Sequence, residues 1–288
     1  MLKASTIFFL LNFFFISNLL AQTGIVKDNL ALQSNILNME RRYAIYLPPG
    51  YETSNRSYPV LYLLHGSGDD QSGWVQFGEV ASIADKTIKE ARATDMIIVM
   101  PDANTGQRGY FNSVDGKFRY EDFFFEELIP FIEKNYRVRS EKRFRAIAGL
   151  SMGGGGTLIY ALHKPEVFAA ACQLSTGNGL QDIDSTKKMY KKMNPTISDE
   201  NIEAWCQKYN GFELVNNVAA EKAKAVRWYI DCGDDDVRSE NNSKLHIAMN
   251  TKGIPHEFRV RDGGHTWAYW RSALPEVLAF VTQSFHQL

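Results

Sequence analysis

Short apolar runs alternate with stretches of helical length and spacing along residues 60–285, and this alternation constrains the fold more than any other feature of the 288-residue chain. Runs at 60–64, 96–100, 144–148, 169–174, 226–232 and 256–261 have the length of strands, while 78–93, 120–136, 152–163, 241–252 and 267–285 have that of helices. Parallel strands cannot be joined by tight hairpins; they need crossovers, usually helices, which then cover both faces of the sheet. The expected class is therefore α/β, with a mostly parallel, doubly wound sheet. Two apolar stretches near 30–37 and 42–47 precede the turn at Pro48-Pro49-Gly50 and predict a leading antiparallel strand pair. One interval breaks the rhythm. Residues 175–224 separate two strands by far more than a usual connection, are polar, and carry helical patches such as 202–208, so they read as an insertion able to form a lid or pocket wall. No repeat or low-complexity linker divides the remainder, and 22–288 read as a single domain.

Residues 1–21 differ in kind. Lys3 precedes an apolar run at 7–20 that ends at Ala21-Gln22, the pattern of a secretory signal cut after Ala21. The run falls short of the ~20 apolar residues that a spanning helix needs, so the mature chain is expected to be secreted or periplasmic and free of membrane. A formal net charge of -1, with no long run of one sign, provides no field to gather nucleic acid. Cys172, Cys206 and Cys232 match no metal spacing and read as buried free thiols.

Gly149-Leu150-Ser151-Met152-Gly153 fits G-x-S-x-G at a junction of strand and helix. At such a junction a serine occupies a tight, strained turn, and its neighbours must be small so that strand and helix can approach. Gly153 to Gly156 form a run of four glycines at the start of the helix. Each costs on the order of 1 kcal/mol relative to alanine, and close packing beneath a nucleophile gives a reason for them.

A serine hydroxyl is a weak nucleophile until a base takes its proton and an acid fixes the tautomer of that base. In the α/β-hydrolase fold the chain order is serine, acid, histidine, which removes His65. His163, His246, His256 and His286 fall in helices, at a strand start or at the terminus, whereas His265 follows a strand in Asp262-Gly263-Gly264-His265. His265 is the expected base. The acid should follow the preceding strand, in Cys232-Gly233-Asp234-Asp235-Asp236. A turn at Gly233 favours the last carboxylate, Asp236, with Asp235 second, and the cluster lacks the spacing of a calcium loop. No metal and no cofactor is expected. The oxyanion of an acyl-transfer intermediate needs two backbone donors: Met152 follows the serine, and Ser67 follows His65-Gly66 at the end of strand 60–64. That loop lacks the lysine and spacing of a phosphate-binding P-loop.

Leu64-His65-Gly66, Gly149 to Gly154, Gly233 to Asp236 and Gly263-Gly264-His265-Thr266-Trp267 together resemble the esterase D-like branch of the α/β-hydrolases. Within it the chain looks most like bacterial feruloyl and acetyl-xylan esterases of carbohydrate esterase family one. The similarity runs from about 42 to 280, with 175–224 the least matched part. The family pattern has the acid as the fourth residue of a Gly-x-x-Asp turn, which implies Asp236, and an oxyanion amide directly after His-Gly, which implies Ser67. Gly155-Gly156 depart from it, since such proteins commonly carry a larger residue and then Gly-Ala.

The resemblance implies a serine carboxylic-ester hydrolase whose partner is a small-molecule or polysaccharide ester, with feruloyl or acetyl groups on plant cell-wall xylan as the leading substrates. Two alternatives are an S-formylglutathione hydrolase-like thioesterase, which an export signal disfavours, and a non-catalytic carbohydrate-binding relative. Trp74, Tyr110, Phe111, Trp267 and Trp270 lie near the motifs and could stack on a phenolic acyl group or a sugar ring, with Trp74 and Trp267 the two taken as substrate-binding.

Overall fold

The computed structural model describes residues 23–104, 109–177 and 183–286; the segment read as a signal lies outside the described residues. Strands β1 (Ile25–Ser34) and β2 (Met39–Leu47) form an antiparallel pair ahead of β3 (Val60–Leu64). A single turn α1 (Gly73–Gln76) and α2 (Val80–Lys89) lead to β4 (Ile97–Pro101). After α3 (Tyr120–Phe123) and α4 (Ile129–Asn135), β5 (Arg145–Leu150) runs into α5 (Met152–His163) and then β6 (Ala170–Leu174). The insertion supplies α6 (Ile183–Met193), α7 (Asp199–Tyr209), α8 (Gly211–Asn217) and α9 (Ala220–Lys224). The chain closes with β7 (Arg227–Gly233), α10 (Ser239–Thr251), β8 (His256–Arg261) and α11 (Trp267–His286).

The strands form one sheet of eight in the order β1-β2-β4-β3-β5-β6-β7-β8. From β4 to β8 every pairing is parallel, and the α/β-hydrolase fold expected from the alternation is present. Strand alternation divides the core cleanly. Val60, Tyr62 and Leu64 join Ile147, Leu158 and Tyr160 on one face, while Leu61 and Leu63 join Ala148, Leu174 and the α11 residues Leu274, Val277 and Val281 on the other. The interior strands β3 to β7 are therefore buried on both sides, which is why they read as continuous apolar runs, whereas the edge strands β1 and β8 are partly exposed.

Two departures from the expected elements have local causes. The helix expected over 120–136 contains a π-helical segment, Phe124–Leu128. Pro130 follows it at the start of α4 and has no amide to give to the preceding turn, so the hydrogen-bond ladder is broken at that point. Strand β5 also runs two residues beyond the expected 144–148, delivering its end directly to Ser151.

The insertion is a helical layer rather than a loop. Ile202, Cys206, Tyr209 and Val215 are buried, the Tyr209 hydroxyl donates to Glu121 at 2.6 Å, and Trp205 Nε1 donates to the Asn112 carbonyl at 2.7 Å. The free thiols of Cys172, Cys206 and Cys232 are all buried. No helix among the described residues is long and apolar enough to cross a membrane.

Candidate active site

The loops leaving the C-terminal ends of β3, β5, β6, β7 and β8 bear all the groups of interest, as open parallel sheets dictate, because every such strand points the same way. Ser151 caps β5 with φ 50° and ψ -109°, a strained backbone that L-residues rarely adopt. Neighbouring backbone enforces it: a Cβ on Gly153 would stand 2.6 Å from the Leu64 carbonyl oxygen and 2.7 Å from that of His65. Helix α5 can thus press against β3 only where no side chain intervenes.

Three distant side chains meet in a line. His265 Nε2 lies 3.0 Å from Ser151 Oγ, and His265 Nδ1 lies 2.9 Å from both Oδ1 and Oδ2 of Asp236. An ionised carboxylate only accepts, so Nδ1 carries the proton and Nε2 is left to accept from the serine hydroxyl. Asp236 is almost wholly buried at 3% exposure, while Asp234 and Asp235 face solvent. Burial alone would raise the Asp236 carboxyl, but hydrogen bonds from His265, Ser175 and the Arg238 amide outweigh it and hold the group below its ordinary value. The two outer aspartates bind backbone instead. Asp234 accepts from the Gly263 amide at 3.1 Å, and the Asp235 amide donates to the Gly263 carbonyl at 3.2 Å. These bonds fasten the loop of the acid to the loop of the imidazole. Asp234, Asp235 and Asp262 could bring three carboxylate oxygens within 4.8 Å of one another, but all three are exposed.

Of the two residues expected to supply backbone donors, Met152 directly follows Ser151 and Ser67 follows Gly66 on a neighbouring loop. A Cβ on Gly66 would stand 3.7 Å from Ser151 Cβ, so the loop carrying Ser67 passes directly beside it. His65 braces that loop. Its ring is buried, with Nδ1 2.8 Å from the Gly66 carbonyl and Nε2 2.9 Å from the Ala103 amide. A carbonyl can only accept and an amide only donate, so the ring is the neutral Nδ1–H tautomer. Burial pushes its pKa down, against the pull of the Gly66 carbonyl, Asp102 and Asp70.

Sequence reasoning missed Ser175. It is fully buried with φ 50° at the end of β6, its hydroxyl bonds Asp236, and its Oγ accepts from Trp270 Nε1 at 3.0 Å. The available signal was position: a small polar residue ending the strand next to the nucleophile strand.

Of the aromatic candidates, Trp74 requires correction. It is 0% exposed, its Nε1 donates to the Leu64 carbonyl at 3.0 Å, and it packs beneath β3, so no substrate reaches it. Tyr110 and Phe111 are also interior, the latter stacked on Tyr209. Trp270 is buried with its ring edge-on to His265, centroids 5.0 Å apart. Trp267 keeps exposed surface while packing on Trp74, Phe77 and Trp270.

Comparison with known proteins agrees with the motifs. The Esterase family model matches residues 34–281. An endo-1,4-beta-xylanase/feruloyl esterase of Xylanibacter ruminicola is 35% identical over 81% of this chain, and an esterase of Mycobacterium tuberculosis is 29% identical over 77%. The chain spans 28% of the first protein and 52% of the second. Mouse S-formylglutathione hydrolase is 25% identical over 79% of the chain and 82% of its own length. Among solved structures, a ferulic acid esterase superposes with a TM-score of 0.80 at 36% identity, covering 92% of this chain and 99% of its own. An S-formylglutathione hydrolase of Staphylococcus aureus, at 0.71 and 19%, covers 91% and 99% and shares the fold. The chain belongs to the esterase family of α/β-hydrolases.

Proposed function

We propose that the chain is an exported serine carboxylic-ester hydrolase that releases hydroxycinnamoyl (feruloyl) or acetyl groups from plant cell-wall polysaccharide such as xylan through an acyl-enzyme on Ser151. The observation that carries the reading is the line Ser151 Oγ, His265 Nε2 and Nδ1, Asp236, with contacts of 3.0 and 2.9 Å. Ser151 Oγ attacks the ester carbonyl while His265 Nε2 takes its proton, and the carbonyl π electrons move to oxygen. The amides of Ser67 and Met152 receive that oxyanion, each such donor typically contributing roughly 3 to 4 kcal/mol. As the carbonyl re-forms, the bond to the alcohol breaks and His265 returns the proton to the alcohol oxygen. Water then repeats the sequence, losing a proton to His265, and the acid leaves with Ser151 restored. Asp236 holds the imidazole and stabilises its protonated form. The chemistry draws only on these side chains, two amides and water.

The feruloyl part of the reading is supported by 35% identity to a feruloyl esterase over 81% of the chain, and the partly exposed Trp267 is an aromatic group available to a phenolic ring or a sugar. Export rests on the apolar leader at 1–21. The test is hydrolysis of methyl ferulate, an acetylated xylo-oligosaccharide and S-formylglutathione by the purified protein, with organophosphonate labelling. Ferulate or acetate release with labelling at Ser151 is expected. Faster turnover of the thioester would replace the substrate reading, and an unlabelled, inert protein would favour a carbohydrate-binding relative.

A further inference from the structure

Ser151 has a second polar neighbour that the line of three does not use. Gly177, just beyond β6, donates its amide to the Ser151 carbonyl at 3.1 Å. A Cβ on Gly177 would stand 3.5 Å from Ser151 Oγ and 3.4 Å from Arg238 Nε. The nucleophile and a guanidinium therefore border the same small space, which Gly177 leaves open. Arg238 Nε is shielded from solvent and has no hydrogen-bond partner among the described residues. A buried donor without a partner is costly, and such an atom beside a nucleophile calls for a ligand acceptor.

The backbone around Arg238 is fixed rather than incidental. Its amide donates to Asp236 Oδ1 at 2.7 Å, and its carbonyl accepts from the Asn242 amide at 3.0 Å and Asn242 Nδ2 at 2.9 Å. Asn242 is fully buried and reaches across to β6: its Oδ1 accepts from the Thr176 amide at 3.2 Å and its Nδ2 donates to the Thr176 carbonyl at 3.2 Å. One asparagine thus ties the segment bearing Arg238 to the segment bearing Gly177, and so sets the guanidinium against the nucleophile.

We propose that Arg238 is a specificity residue that reads the alcohol half of the ester, donating to a sugar oxygen next to the scissile bond. The inference rests on the ester-hydrolase reading above. Its logic is one of reach. An acceptor for Arg238 must lie only a few bonds from the carbonyl carbon that Ser151 attacks. An acetyl group has no oxygen there besides the carbonyl itself, and a hydroxycinnamoyl group carries its other oxygens on the far edge of its ring. In the proposed mechanism the carbonyl oxygen turns to the amides of Ser67 and Met152, and the Ser67 loop follows β3, which lies on the other side of β5 from the β6 that carries Gly177. A pyranose or furanose alcohol, by contrast, presents a ring oxygen and hydroxyls two or three bonds from its ester oxygen. The ligand class is therefore a carbohydrate ester, with its polyol part against Arg238.

The experiment compares two esters of one acid, methyl ferulate and feruloyl-arabinose, with wild type, Arg238→Ala, Arg238→Gln and Arg238→Lys. The quantity read is the ratio of kcat/KM for the sugar ester to that for the methyl ester. Loss of a charge-assisted hydrogen bond should lower this ratio roughly ten- to a hundredfold in Arg238→Ala and Arg238→Gln, and Arg238→Lys should recover part of it. Far-UV circular dichroism and melting establish that each variant is folded, and because both esters meet the same folded fraction, the ratio is insensitive to partial unfolding. An unchanged ratio, whether both rates fall together or neither does, overturns the proposal and assigns Arg238 to the scaffold. A wild-type protein that hydrolyses neither ester, nor an acetylated xylo-oligosaccharide, and is not labelled at Ser151 by an organophosphonate would sink the hydrolase reading itself, and this inference with it; one active only on the acetyl ester would overturn this inference alone if its rates on acetylated sugar and simple alkyl acetate respond equally to Arg238→Ala.

Discussion

The two flanks of the site are held in place by different physics. On the side of β3 and β5, Ser151 and the loop of Ser67 are set by close steric contact, with Gly149 and Gly153 packed against each other and against Leu64, and Gly66 against the Leu150 side chain. On the side of β7 and β8, Asp236 and His265 ride on loops that touch backbone to backbone at one point, where a Cβ on Gly233 would stand 1.9 Å from the Gly263 carbonyl oxygen, and are otherwise joined by polar bonds. Asp234 and Asp235 clasp Gly263, and Arg261 grips the buried Asp231 at 2.9 and 3.1 Å, with Tyr229 and Tyr269 hydroxyls on the same carboxylate. Steric repulsion is steep and short-ranged, so the first flank should tolerate almost no added volume. Hydrogen bonds contribute in small separable amounts, so away from Gly233 the second should degrade by steps.

The largest effect tests the chemistry common to both flanks. Ser151→Ala should lower kcat by roughly a millionfold, measured on methyl ferulate, with the fold unchanged. Asp236→Asn should follow at about ten-thousandfold, whereas Asp235→Asn, exposed, should stay within about tenfold. The reverse order would mean that the wrong carboxylate holds His265.

Gly153→Ala separates the flanks directly. The added methyl meets two carbonyl oxygens under 3 Å, and overpacking of this kind costs about 1–3 kcal/mol, readable as a lower urea midpoint. A variant as stable as wild type would show that helix α5 has room to yield. His65 gives a smaller, pH-dependent effect. Its folded-state pKa is lowered, chiefly by burial, while the unfolded chain takes up a proton near pH 6.5. Stability is thus fully present above about pH 6.5 and is lost as pH falls from there toward the folded value, at about 1.4 kcal/mol per pH unit. His65→Asn should remove this part of the slope in urea titrations between roughly pH 7.5 and 5.5; a slope equal to wild type would mean that the ring is not held neutral. Smallest is Ser175→Ala, which deletes one hydrogen bond to Asp236 and one from Trp270 Nε1, and should lower kcat about five- to tenfold with KM little changed.

Six strands and the nucleophile helix were legible because each announces itself locally. A strand buried on both faces needs an apolar run, and a serine on a strained turn needs glycines beside it. That Asp236 rather than Asp235 meets His265 was also within reach, since the turn after Gly233 fixes which residue is carried over the sheet. Trp74 was not legible. A tryptophan next to a glycine-rich loop has the same sequence signature whether it lines a cavity or plugs the space beneath β3, and only its packing against Leu64 and Trp267 separates the two.

The sequence by itself determined the class of fold, the order of its strands along the chain and the residue types available at each strand end, because these follow from periodicity and from the local demands of turns. Only the tertiary structure decided which strand ends stand side by side. β6 lies between β5 and β7, and that adjacency alone brings Ser175 to Asp236 and Arg238 to Ser151. No periodicity records such a meeting, since the residues involved lie as much as 87 positions apart along the chain, and the contacts that join them exist only once the sheet has formed.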